Sequence, residues 1–292
     1  MNFFKKTIFI FKLLTLVNYA SAQSIDVSTR TNPLLQLGIN TEILGLKGNV
    51  KEMQAHKFIT DDQGRTINDS ALVSNQYKFD SNGLTKEIEE TFRNLLSKKS
   101  FFSYTNKGYV SHIDIETTLL SNEKDTTNTE NTEEKDPIFS TVDYKYVPKK
   151  NILYRGEDLT ERLPQKTTSK KEYFYHFNDT NQIFQIDYQT NDLVTQYNYD
   201  SNGLIKESLT SKSGIASYKN IYKYDRNNRL INLVTINSGN KSKYPNEETI
   251  ITYKLDNNGN TIEKKTKTFQ YTPQGIKKFI EGNLYLYKYT YL

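Results

Sequence analysis

The sequence contains no cysteine and no tryptophan among its 292 residues. The lack of cysteine excludes disulfides, thiolate metal ligands, a thiol nucleophile and a lipid-anchoring cysteine behind an export leader. Glycine and proline are scarce, at 13 and 6 residues, whereas tyrosine and phenylalanine supply 22 and 15. Because these two aromatic residues favour β-strands, the composition favours a folded, β-rich chain over a disordered one.

The first 22 residues have the three parts of a secretory signal peptide. Two lysines precede an apolar run over residues 7–17 that contains a third lysine, and Ala20-Ser21-Ala22 follows the run. The run is shorter than the roughly 20 apolar residues of a transmembrane helix. We therefore expect cleavage after Ala22, export to the periplasm, the cell surface or the medium, and no membrane span in the mature chain.

Removal of the leader also changes the charge balance. Subtracting its three lysines from 39 basic residues leaves 36, against 34 acidic residues. A chain so close to neutral gives no reason to expect a nucleic-acid partner.

A short phrase recurs along the chain and predicts its turns. It is Tyr-Lys-Phe-Asp-Ser-Asn-Gly-Leu at 77–84 and Tyr-Asn-Tyr-Asp-Ser-Asn-Gly-Leu at 197–204, and looser copies begin at Tyr222 and Tyr253. The aspartate of each copy accepts backbone hydrogen bonds at the start of a type I turn, and the last turn residue adopts a positive φ. We assign eight turn residues: Asp80, Gly83, Asp200, Gly203, Asp225, Asn228, Asp256 and Gly259.

These turns predict an all-β fold of tandem antiparallel hairpins, arranged as an extended, twisted meander or a solenoid-like sheet. Residues 23–47 are interpreted as an extended lead-in, and 48–120 and 137–292 as two groups of hairpins. Residues 121–136 contain no apolar side chain and are interpreted as an acidic, polar, low-complexity loop. The sequence leaves open whether the two groups form one sheet or two domains.

Tyrosines alternate with polar residues on the strands that enter the turns, which places their rings on one face of the sheet. Such rings ordinarily pack across strands as core. The functional alternative is an exposed aromatic platform for sugar rings, formed by Tyr197, Tyr199, Tyr222, Tyr224 and Tyr253.

The phrase Tyr-x-Tyr-Asp-x-Asn-Gly-Leu resembles the YD repeat, also called the RHS-type repeat, of bacterial surface and toxin proteins. Asp80, Asp200, Asp225 and Asp256, with the aromatic residues before them, carry the resemblance. The resemblance implies an array of β-hairpins. The large members enclose a toxic C-terminal domain, whereas this chain has too few repeats to close such a shell and has no room for an effector domain. Its leader and residue usage resemble those of small exported proteins of Bacteroidetes-type bacteria.

Residues that bear chemistry do not form a recognisable motif. The Asp-x-Asn turns lack the glutamate at loop position 12 that an EF-hand requires, and His56, His112 and His176 are spread over different predicted strands. Acidic residues such as those at 87, 89, 116, 187, 207 and 263 are too numerous for pairing to be informative. We therefore assign no catalytic residue, metal site or cofactor.

Three functional hypotheses follow. The leading one is an exported, non-enzymatic scaffold or recognition surface for a glycan or a protein of the cell envelope. An envelope polysaccharide hydrolase, which requires two carboxylates facing each other across a groove, is the alternative. The third is an outer-membrane β-barrel, suggested by the alternating aromatic residues at the end of the chain.

Overall fold

The computed structural model describes residue 44 and residues 46–93, 95–105, 110–120, 137–147, 152–160, 169–180, 182–189 and 192–291. The proposed leader, nearly all of the lead-in and the acidic loop lie outside these ranges. Within them, no helix is long and apolar enough to cross a bilayer. The strands are β1 Val50–Thr60, β2 Val73–Phe79, β3 Thr85–Phe92, β4 Leu96–Tyr104, β5 Val110–Leu119, β6 Ile138–Val147, β7 Ile152–Thr160, β8 Ser169–Phe177, β9 Ile183–Tyr188, β10 Leu193–Tyr199, β11 Ile205–Lys212, β12 Ile215–Tyr224, β13 Leu230–Asn237, β14 Glu247–Leu255, β15 Thr261–Tyr271 and β16 Lys277–Tyr291.

These strands form one closed barrel in which each strand pairs antiparallel with the next, and β1 pairs with β16. The predicted all-β array of antiparallel hairpins is confirmed, but the predicted open meander or solenoid is wrong. Closure has a physical reason. The edges of an open sheet would leave unpaired backbone groups, and here the two terminal strands satisfy each other from Glu52 with Thr290 to Thr60 with Gly282. Because β5 pairs with β6, the hairpins on both sides of residues 121–136 belong to the same sheet.

Antiparallel order gives the barrel two different ends. The connections β2–β3, β8–β9, β10–β11, β12–β13 and β14–β15 all lie at one end, here called the turn end, and four of these five contain the repeated phrase. The opposite end, here called the loop end, carries the longer connections 61–72 and 238–246 and the strand ends that flank residues 121–136. The five connections named at the turn end are therefore short, whereas the loop end accommodates long ones.

The core lies on the inward face of the barrel. One cluster of buried residues spans β8 to β14 and includes the fully buried Tyr175, Ile183 and Ile186. A second cluster lies on β1 and β2 around Val50 and Met53. The outward face is the more exposed one, as expected for strands whose side chains alternate between two faces.

Candidate functional site

The predicted turn residues lie at the turn end, in four hairpin connections of one design. Asp80 Oδ1 accepts hydrogen bonds from the backbone N–H groups of Asn82 at 2.8 Å and Leu84 at 2.9 Å, and the Gly83 N–H donates to the Asp80 carbonyl at 3.0 Å. The turns at Asp200, Asp225 and Asp256 repeat these contacts. The strand register shifts by one residue just before each of the four turns. These contacts show that the predicted turn residues set the hairpins.

Glycine or asparagine is needed at the last position of these turns because φ is positive there. The φ angle is 77° at Gly203 and 63° at Asn228. Residues with a Cβ atom rarely adopt this conformation, and asparagine tolerates it better than most.

The five tyrosines considered as a possible exposed platform point into the barrel instead. Tyr197 and Tyr222 are only 6% and 4% exposed, and Tyr199, Tyr224 and Tyr253 pack against the same core cluster. The platform is therefore not formed by these residues. Closure of the sheet explains the difference, because it turns the face that carries these tyrosines inward.

Tyrosines near the turn ends of the strands also tie neighbouring hairpins together. The hydroxyl of Tyr199 donates to the Ile183 carbonyl at 2.6 Å, and that of Tyr253 donates to the Leu230 carbonyl at 2.8 Å. In both cases the acceptor is the first strand residue after the turn of the preceding hairpin. In the pair Tyr199-Asp200, the aspartate closes one turn and the tyrosine hydroxyl binds the strand that follows the previous turn.

Toward the loop end, the inward face changes from aromatic to polar. The side chains that follow the tyrosines along this face are small hydroxyl and amide groups with a few charges, here called the inner polar layer. Its members are Lys57, Asn75, Glu90, Lys98, Thr117, Ser140, Thr195, Ser208, Thr210, Asn220, Thr235, Thr249, Thr266, Thr268, Glu281 and Asn283.

Hydrogen bonds link this layer across neighbouring strands. Thr195 and Thr210 share a hydrogen bond of 3.0 Å, and Thr249 and Thr268 share one of 3.1 Å. Further contacts join Asn220 to Ser208 and Thr235, and Asn283 to Thr266. Hydroxyl and amide groups that both donate and accept are suited to recognising the hydroxyl groups of a polar ligand.

Charged groups inside the barrel form two sets, one around Tyr285 on β15, β16 and β1, and the other on β3 and β4. Lys264 lies at the border between the aromatic half and the inner polar layer. Burial, together with the nearby Lys57 ammonium, lowers the pKa of Lys264 to about 8. Burial also lowers the pKa of Lys57, which the Glu281 carboxylate partly offsets. Burial raises the pKa of Glu90, opposed by Lys98 across the strand pair.

The outward face carries polar and charged side chains in cross-strand rows. Its ion pairs include Lys78 with Glu87 at 3.1 Å and Lys254 with Glu263 at 3.1 Å. Other outward positions of the described strands are also hydrophilic: Gln54, Ser74, Gln76, Glu89, Lys99, Asp114, Lys145, Gln185, Gln196, Asn198, Lys219, Lys223, Glu248 and Lys265. Exposed apolar side chains stand among them, including Phe101, Phe184, Leu209, Ile250 and Leu286, so this face mixes charged, polar and apolar groups.

The three histidines also lie on the outward face, each with an ordinary polar partner. His56 Nδ1 bonds with Ser74 Oγ at 2.9 Å, and His176 Nε2 lies 2.7 Å from an oxygen of Asp187. His112 lies between Asp143 and Asp114, and its hydrogen bonds to both carboxylates raise its pKa. Among the described residues, no group of three metal-ligating side chains converges.

Comparisons with known proteins add neighbours of low similarity. No family model matches the chain, and no curated protein does. A porin-like protein from Bacteroides uniformis is 9% identical with a TM-score of 0.37, over 84% of this chain and 98% of the other. A porin-like protein from Bacteroides vulgatus is 12% identical with a TM-score of 0.34, over 83% and 98%.

A protein of unknown function from Bacteroides fragilis is 10% identical with a TM-score of 0.21, over 63% of this chain and 91% of the other. At such TM-scores, the similarities do not identify a shared fold or a function.

Sequence analysis missed the inner polar layer, although a signal for it is present. A polar residue stands two positions before the first ring in Asn75-x-Tyr77-x-Phe79, Thr195-x-Tyr197-x-Tyr199 and Asn220-x-Tyr222-x-Tyr224. A spacing of two puts the polar residue on the same face as the rings. The polar layer could have been found by extending the aromatic pattern by one step.

Proposed function

We propose that the mature chain is an exported, non-enzymatic binding protein whose barrel stands in water and whose inner polar layer binds a carbohydrate. The observation that carries this proposal is the division of the interior. Rings and aliphatic side chains fill the turn half, while hydroxyl, amide and charged groups predominate in the loop half, where Val73 and Leu96 are also buried. A core built only for stability has no need of such a polar half, since burying polar groups gives little net stability.

The chemistry of the layer fits a sugar. Carbohydrates present many hydroxyl groups that donate and accept, and the layer offers threonine, serine and asparagine side chains next to tyrosine rings. The Thr235 and Thr249 side chains are only half-buried, so solvent reaches part of this layer. The adjoining loop end carries the long connections, which is where binding residues commonly collect on a rigid scaffold.

The non-enzymatic part of the proposal rests on carboxylate spacing. Glycoside hydrolysis requires two carboxyl groups about 5 to 9.5 Å apart. The inward-facing Glu90 and Glu281 stand on β3 and β16, with β1 and β2 between them. Three strand spacings amount to roughly 14 Å. This pair is too widely separated for the hydrolase hypothesis.

A glycan screen with the chain from residue 23 tests the proposal. We expect retention on at least one glycan, and a loss of affinity of at least tenfold in the double variant Thr249→Val/Thr268→Val. Because this variant removes both partners of one hydrogen bond, it should alter stability little. Thr252→Val, on the outward face of the same strand, is the matched control and should bind like the wild type. Absence of binding to every glycan, or full binding by the double variant, would refute the proposal.

An outer-membrane barrel remains the second candidate function, favoured by the closed 16-strand sheet. It requires an apolar band facing lipid, and a charged side chain at the bilayer midplane costs about 2 to 4 kcal/mol. At mid-strand, the outward Lys219 stands beside the exposed Leu209 and Lys99 is also outward, and lysines there are of the wrong kind for that band. Folding without detergent, with no insertion into added vesicles, is the expected result. Insertion that protects the strands from protease would favour the second candidate instead.

A further inference from the structure

Two lysines inside the barrel flank one tyrosine ring. Lys264 on β15 faces Tyr285 on β16, and Tyr285 faces Lys57 on β1 in the strand register. The Lys264 and Lys57 Nζ atoms lie 5.0 Å and 5.8 Å from the centroid of the Tyr285 ring. All three side chains project to the inward face, so the two ammonium groups share one region of the interior.

These two positive charges have no close counterion. Among the described residues, neither ammonium group forms an ion pair or a hydrogen bond with a carboxylate. The carboxylate that acts on the pair is Glu281, four residues along β16 toward the loop end, and its side chain is exposed. Their side-chain neighbours in the register are Tyr253 and Val73, which are uncharged.

Such an arrangement is unfavourable in the empty protein. Two like charges in a partly desolvated region repel each other, and the cation–π contacts with one ring offset only part of that cost. The same arrangement favours an anion, which would neutralise both charges and accept hydrogen bonds from both ammonium groups. Methionine would fill the same space at lower cost if these positions served packing alone.

We infer that Lys57 and Lys264 bind an anionic group, a carboxylate or a sulfate, inside the barrel beside Tyr285. The inference deepens the proposed function, since it makes the ligand an acidic carbohydrate. Its ionic part is independent of any sugar and can be tested alone.

Inorganic sulfate is the first probe, and the full mature chain is the sample. Sodium sulfate should raise the melting temperature of the wild type by several degrees more than sodium chloride of equal ionic strength. We expect Lys57→Met and Lys264→Met to lose most of this difference. Lys288→Met, an outward lysine on β16, should keep it and thereby corrects for the general stabilisation by sulfate. Lys264→Gln provides a second variant should the methionine variant fail to fold.

Equal sulfate responses in all of these variants would overturn the inference. A uronic-acid oligomer and its neutral counterpart then test the link to carbohydrate. The acidic oligomer should bind the wild type at least tenfold more tightly than the neutral one, and Lys264→Met should abolish the preference. Sulfate binding without glycan binding would refute the proposed function but support the anion site. Glycan binding without a preference for the acidic oligomer would support the proposed function but refute the anion site.

Discussion

A disulfide across the β1–β16 seam tests whether the barrel is closed. Gln54 on β1 faces Lys288 on β16, and both side chains point outward. Directly opposed residues of antiparallel strands have Cα atoms about 4.5 to 5.5 Å apart, within the range a disulfide tolerates. Because the chain has no cysteine of its own, the variant Gln54→Cys/Lys288→Cys contains a single possible bridge.

The stabilisation expected from this bridge is large because the loop it closes is long. A loop of about 235 residues loses enough chain entropy on cross-linking to give at most about 5 kcal/mol. For a chain of this size, that corresponds to a rise in melting temperature of roughly 10 °C. The assay compares oxidised and reduced protein in thermal unfolding, with the shift in mobility on a non-reducing gel as evidence of the bond.

Two control pairs decide the outcome. Gln76→Cys/Glu89→Cys joins β2 to β3, adjacent in any arrangement of the hairpins, and should oxidise readily with a smaller stabilisation. Gln54→Cys/Gln185→Cys joins β1 to β9, distant in the strand order of the barrel, and should not oxidise. If the β2–β3 pair forms its bond while the seam pair does not, the sheet is open and the interior assigned here does not exist.

Three further predictions concern single residues. Asn228→Gly should stabilise the fold by about 0.5 to 1 kcal/mol in urea unfolding, because glycine adopts the positive φ of 63° without strain; a loss of stability would contradict this account of the turn. Tyr253→Phe should lower the free energy of unfolding by about 1 kcal/mol, because it removes the hydrogen bond to the Leu230 carbonyl. Tyr224→Phe is its control and should change stability little, because the Tyr224 hydroxyl makes no hydrogen bond among the described residues. The free energy of unfolding should rise with pH above about 8, because the pKa of Lys264 is about 8 when folded and about 10.5 when unfolded. Below pH 8 the buried lysine is charged in the folded state and destabilises it fully, so Lys264→Met should be more stable than the wild type there. Between pH 8 and 9.5 the stability of the variant should rise less steeply than that of the wild type. An identical rise in both proteins would show that another group is responsible.

The local parts of this fold were accessible from the sequence. Asp200, Gly203 and their counterparts carry enough information to place a hairpin turn, because a turn depends on side-chain contacts with its own backbone. The face of Tyr197 and Tyr199 was equally accessible, since alternation along a strand is a local rule. Whether that face lies in a core or on a surface is not local, and it depends on what the sheet does as a whole.

Closure could not be read from the repeat. The pairing of β1 with β16 joins residues more than two hundred positions apart, and neither strand has a sequence pattern that identifies the other as its partner. An open array and a barrel share the same hairpins and the same alternation. They differ in strand number and tilt, which a single sequence does not display.

Once the sheet closes, the repeat explains why the two ends differ. Each copy spans two strands, so every copy of the phrase falls at the same end, where its aspartate closes a turn. In the copy at 197–204, Tyr199 also binds the preceding hairpin. The polar residue two positions before the first ring, which is Asn75, Thr195 or Asn220 in three of the copies, then falls toward the other end. A single repeating unit therefore builds a rigid aromatic half and a polar half in one barrel. The candidate binding groups are accordingly the polar residues that precede the tyrosines, and not the tyrosines themselves.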